Sequence, residues 1–176
     1  MLKATHSGKR NRSGFRGQAI IEFAIALPIL LVILVGIFEV GRMVFIYAAV
    51  TNASRNAVRY ASAVGNADNG LTKYNYCYGI YETAQKSSFL IAIPTPPTND
   101  FKIYYDNGNG TPLADPECSV WNSAQVDTGV KVNSGDRVEV IVTVRYEPMV
   151  KLIPITPRDI TSSSRRTILG IYKLGS

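Results

Sequence analysis

The sequence predicts an α+β fold in which a long N-terminal helix, transmembrane over its first part, continues into a small antiparallel-sheet domain. Three observations point there. An uncharged apolar run extends from Phe23 to Phe38, apolar residues occupy every second position from Val138 to Tyr146, and Gly-, Pro- and Asn-rich turn clusters separate the short segments after residue 65. At 176 residues there is room for an anchor and one modest domain, not for two full domains.

The first element is a basic leader, residues 1–17. Lys3, Lys9, Arg10, Arg12 and Arg16 carry five of the six net positive charges, leaving +1 for the rest of the chain. Positive residues ahead of an apolar run are retained on the cytoplasmic side, which sets the expected topology: N-terminus inside, C-terminal domain outside. The same distribution argues against a nucleic-acid surface, because the basicity belongs to the leader alone. Low apolar content predicts disorder over residues 1–16.

The second element is a helix over residues 18–64. The run from Phe23 to Phe38 has 16 residues, roughly 24 Å of helix, and adding Gln18 to Glu22 brings it to about 21 residues, enough to span a bilayer. A cleaved secretory signal is not expected, because apolar character resumes after Glu39-Val-Gly-Arg42 and no small-residue exit site follows. Beyond that point Val50, Ala53, Ala57, Tyr60, Ala61 and Val64 trace one helical face, with Asn52, Ser54, Arg55, Asn56 and Arg59 on the other. A helix from Gln18 to Ala63 would measure about 69 Å, its first half suited to lipid and its second to a water-soluble domain. Pro28 is expected to kink or locally unwind it. Pro28 and Gly36 also suit close packing against a neighbouring helix. Glu39 and Arg42, three apart, can pair near the outer boundary or simply mark it.

The third element is an α+β domain over residues 65–176. A short helix is expected from Tyr78 to Leu90, a strand from Phe101 to Tyr105, a turn over Asp106-Asn-Gly-Asn-Gly110, the clearest strand from Arg137 to Tyr146, and a last strand from Arg165 to Leu174. Cys77 and Cys118 lie beyond the apolar segment. In an exported domain an even pair is most simply one disulfide, and two separate buried thiols are the alternative.

The most specific motif is Gly17-Gln-Ala-Ile-Ile-Glu22-Phe23 at the junction of the leader and the apolar run. With Ala24-Ile-Ala-Leu-Pro28, Gly36, Gly41-Arg42 and Asn52-Ala-Ser-Arg-Asn-Ala-Val-Arg59-Tyr60-Ala61 it resembles the TadE-like minor pseudopilins of Tad (tight adherence, Flp-type) pilus systems. The resemblance covers about a quarter of the chain; in the outer domain it is confined to the strand ending Tyr146-Glu-Pro148. It implies a bacterial, pilin-like, single-pass inner-membrane protein cut by a prepilin peptidase between Gly17 and Gln18. Its implied partners are that peptidase, other pilins or pseudopilins, the assembly platform and membrane lipid, with no nucleic acid. Glu22 and Phe23 would then lie at the start of the mature chain. A carboxylate at the end of a membrane helix calls for a cationic partner, and the freed α-amine of a neighbouring subunit is one, so the pair would set register during assembly.

Other classes find little support. His6 in the leader is the only histidine, and no metal-spaced cluster, nucleophile–base set or phosphate-cradling loop stands out, so neither an enzyme nor a cofactor is expected. Residues 106–110 lack the placed acid of a calcium loop. Asn52-Ala-Ser54 matches a glycosylation acceptor but falls in the predicted helix. Tyr74, Tyr76, Tyr78 and Tyr81 suit packing better than an adhesive patch. The alternative function is a membrane-anchored adhesive or ligand-binding surface protein with no filament role.

Overall fold

The computed structural model describes residues 14–68, 70–89, 91–94, 99–113, 132–133, 135–150 and 156–169, with side chains from residue 17 onward. Residues 1–13 of the leader and Cys118 lie outside these residues, whereas leader residues 14–17 are helical and start the first helix four residues earlier than expected. In chain order the elements are α1 (Gly14–Ala61), α2 (Cys77–Ser87), β1 (Phe101–Asp106), β2 (Arg137–Tyr146) and β3 (Arg158–Thr167). The three strands form an antiparallel sheet in the order β1-β2-β3. The architecture is α+β, with one long apolar helix as a candidate membrane span.

Helix α1 has 48 residues and remains helical at every position, Pro28 included. The expected unwinding at Pro28 is therefore not seen. Proline removes one amide donor and crowds the preceding turn, a local cost that the long helix on either side absorbs. From Ile20 to Phe38 most large apolar side chains stand exposed, many by more than half. That surface fits hydrocarbon rather than water.

The lower part of α1 is bare, and the upper part carries the head. Val50, Ala53, Ala57 and Ala61 are buried against α2 and the sheet, as the helical periodicity predicts. Four residues depart from the expected face. Ser54 and Val58, absent from the predicted face, are buried, whereas Val64 is 52 % exposed because the helix stops at Ala61 and the chain turns away. Tyr60 is only half-buried.

The small residues of α1 let the sheet approach closely. Ser54 Oγ lies 3.0 Å from both Ser162 Oγ and Ser164 Oγ of β3, and 3.1 Å from the carbonyl of Thr51. On the other flank a Cβ on Gly79 of α2 would fall 2.4 Å from Tyr76 Cδ1 and 2.7 Å from the Tyr60 hydroxyl. Glycine is what lets these two helices meet.

Strand β2 occupies the residues predicted for it, with Val138, Val140, Val142 and Tyr146 buried and Arg137, Glu139 and Arg145 on the other face. Its core-facing valines sit opposite Tyr105, Ile103 and Phe101 of β1. The last strand is seven residues earlier than expected, at Arg158–Thr167 instead of Arg165–Leu174. The apolar Ile-Leu-Gly-Ile-Tyr sequence drew the expectation downstream. The strand actually used is Ser- and Thr-rich: beyond the buried Ile160, its inward face presents Ser162 and Ser164 to the small side chains of α1. Helix α2 is shifted and shortened to Cys77–Ser87. Ser88 closes it by donating to the carbonyls of Gln85 (2.9 Å) and Ile91 (2.7 Å).

Candidate functional site

The densest polar arrangement in the described residues sits where the bare part of α1 meets the head. Phe38 is 70 % exposed and Val40 is 52 % exposed, yet Glu39 between them is 1 % exposed. The turn at the end of β2 covers it. Tyr146 donates its hydroxyl to Glu39 Oε2 at 3.0 Å, and the backbone amides of Met149 and Val150 donate to Oε1 at 2.5 and 3.4 Å. Arg42, one helical turn on, places Nε 3.3 Å from Oε2, donates through Nη2 to the carbonyl of Glu147, and lays its guanidinium 5.0 Å from the centre of the Tyr146 ring.

Each part has a physical reason. Residues three apart on a helix share a face, so Glu39 and Arg42 reach the same neighbours. Alternation along β2 aims Tyr146 at the helix. The strand then ends, and its freed amides are satisfied by the carboxylate rather than by a fourth strand. A buried carboxylate is tolerable only when charge and donors surround it, and here both oxygens are engaged. Burial raises the pKa of the Tyr146 hydroxyl, and its bond to Glu39 raises it further, against the opposing influence of Arg42. The result is a peg that fixes the height and rotation of the head on the helix.

The other predicted site residues are more dispersed. Gly17 and Gln18 lie in the first turns of α1, with open space around Gly17. Gln18 Nε2 donates to Glu22 Oε1 at 3.0 Å. Glu22 and Phe23 are exposed, and Pro28 and Gly36 lie further along the same helix. Gly36, half-buried, lies one helical turn before Glu39, while Gly17, Gln18, Glu22, Phe23 and Pro28 lie further back along the helix. Cys77 is fully buried at the start of α2. Because Cys118 is outside the described residues, its pairing with Cys77 stands as a proposal.

The weaker motifs resolve into structure. Asp106 Oδ1 accepts from the Gly108 amide and from Arg137 Nε, each at 2.8 Å, while Asn107 Oδ1 accepts from the amides of Asn109 and Thr111. These oxygens shape a turn, in which Gly108 and Gly110 take positive φ. Asn52 lies within α1, and the Ser54 hydroxyl is committed to β3. Tyr76, Tyr78 and Tyr81 run in tilted contact over 6.2 and 6.4 Å to an edge-on packing of Tyr81 on Phe101 at 5.5 Å.

Sequence reasoning found Glu39 and Arg42 as a pair but not their partners. Tyr146, Glu147, Met149 and Val150 lie more than a hundred residues away. Their only signal was the end of an alternating strand whose apolar phase included a tyrosine.

Comparison with known families places a match to the TadE-like protein model on residues 17–59, covering nearly all of α1. It supports the TadE-like family of the Tad pilus system for that segment. No curated protein and no solved structure matches the chain.

Proposed function

We propose that this chain, with its TadE-like segment over residues 17–59, is a minor pseudopilin or assembly component of a Tad-type pilus, held in the inner membrane by α1. The observation that carries the reading is the division of that one helix. Its first half is apolar and bare, its second half is the spine of the head, and the matched segment runs through both.

A helix built this way has two uses. In the bilayer its exposed apolar side chains are solvated by lipid. Outside the bilayer the same surface must be covered by other helices, which is how a filament of packed subunits would bury it. The basic leader favours an N-terminus on the cytoplasmic side and a head on the far side. Cleavage between Gly17 and Gln18 would release an α-amine next to Glu22, and Glu22 has no ion pair within the described residues. Its carboxylate is thus available to the amine of a neighbouring subunit. The role is structural, with prepilin peptidase, other pilins or pseudopilins and the assembly platform as the partners.

The test is intact mass and N-terminal peptide mapping of membrane-extracted protein from cells with and without their prepilin peptidase. A start at Gln18, or at its cyclised form, only when the peptidase is present supports the reading. An unprocessed N-terminus in both strains would leave a plain membrane-anchored domain.

A further inference from the structure

The exposed apolar surface of α1 does not stop at the Glu39–Arg42 peg. Val44, Phe45 and Tyr47 remain 59, 46 and 59 % exposed, on the part of the helix that already carries the head. Beside them is a groove of about 390 Å³, lined by Met43, Val44 and Tyr47 of α1 and by residues Arg158 to Thr161 at the start of β3. Its wall is largely aliphatic and aromatic, and its rim is charged.

Register places this groove at the membrane-proximal end of the head. Arg158 is the cross-strand partner of Tyr146, and Tyr146 bonds to Glu39. Counting from Phe23, just past Glu22, about 20 residues or 30 Å of helix reach Arg42, the thickness of a hydrocarbon core. The turn from Met43 to Tyr47 then lies roughly 2–8 Å further out, within the headgroup layer. At the rim Asp159 faces Arg145 across 3.8 Å, whereas no ion pair engages Arg158 among the described residues.

We propose that this groove is a phospholipid site, in which Met43, Val44, Tyr47 and Ile160 hold the upper part of an acyl chain and Arg158 pairs with the phosphate. An apolar wall continuous with a lipid-facing helix, capped by an unpaired cation at headgroup height, matches an amphiphile with an anionic head. The lipid would brace the head against the bilayer surface, with the Glu39 peg setting the depth at which the brace forms. The proposal rests on the membrane-anchored reading of α1.

The experiment uses the full chain in nanodiscs of phosphatidylethanolamine and phosphatidylglycerol, doped with phosphatidylglycerol bearing a diazirine near the top of one acyl chain. After illumination, lipid adducts are mapped by mass spectrometry. Adducts on peptides containing residues 43–47 and 158–161, as well as on 23–38, are the expected result. Arg158→Glu should cut the 158–161 adducts about fivefold, Arg158→Lys should retain most of them, and neither should change those on 23–38. Because Val44 is exposed, Val44→Asn should lower groove labelling without disturbing the fold. Adducts confined to 23–38, or chain-to-chain cross-links replacing lipid at residues 43–47, would overturn the site while leaving the anchor in place. An absence of adducts on 23–38 would overturn the anchor and the site together.

Discussion

Glu39 sits between two side chains that are mostly exposed, and its burial is made by residues remote in the chain. Replacing it with glutamine keeps the shape but removes the charge that Arg42 faces. Breaking one side of a buried ion pair costs more than the pair is worth, because the remaining charge is left without a partner. In Glu39→Gln, hydrogen exchange at the amides of Met149 and Val150 should therefore become several-fold faster, while exchange in β1 stays unchanged. Tyr146→Phe removes one donor of several and should have a smaller effect. Equal exchange at Met149 and Val150 in wild type and Glu39→Gln would show that the peg does not hold the turn.

Asp106 supplies a pH-dependent counterpart at the end of β1, where the turn begins. Burial alone would raise its pKa, but the hydrogen bond and charge of Arg137 and the amides of Gly108 and Gly110 outweigh burial and hold it below 3.8. A depressed carboxylate contributes stability that is complete above its unfolded pKa and is lost as pH falls through the folded value. Thermal unfolding followed against pH should show this contribution fully above pH 3.8 and fading below it. Asp106→Asn should be less stable than wild type at neutral pH, and the two should converge in acid. A constant gap at every pH would assign the loss to turn geometry instead of charge.

At the scale of elements, the contact between α1 and β3 depends on smallness. Ser54, Ser162 and Ser164 share hydroxyl contacts at 3.0 Å, leaving no room for a larger side chain. Ser54→Leu should destabilise the head by about 1–3 kcal/mol through overpacking. Ser54→Ala should cost only about 1 kcal/mol for the lost hydrogen bonds. Chemical denaturation of the two variants in detergent gives the comparison. A leucine tolerated as well as alanine would mean that the sheet can move away from the helix. The same crowding explains why the strand of the sheet richest in serine was displaced in the sequence-based expectation: propensity favoured the apolar residues downstream, but the site rewarded small ones.

For the whole molecule, the bare helix and the compact head demand different surroundings, and a cross-link would matter most in the head. If Cys77 and Cys118 pair, the bridge closes a loop of 42 residues and should add roughly 4 kcal/mol on the chain-entropy model. Non-reducing peptide mapping of protein taken from the membrane should recover the linked peptide, and dithiothreitol should lower the unfolding midpoint. Two alkylatable thiols in the unreduced protein would exclude the bridge.

Local signals settled much of this protein. The length of the uncharged run defined the candidate span, and the 3.6-residue period identified Val50, Ala53, Ala57 and Ala61 as the helix face that meets the head. The two-residue period of β2 revealed its inward side, since each of these patterns is written in neighbouring residues and one kind of burial. Only the tertiary structure decided that Ser54 is inside, that β3 begins at Arg158, and that Glu39 and Arg42 form a peg with Tyr146 and the turn after it. Those outcomes depend on which surfaces meet across more than a hundred residues of chain, and at such contacts space and hydrogen-bond partners outweigh the preferences of any single segment.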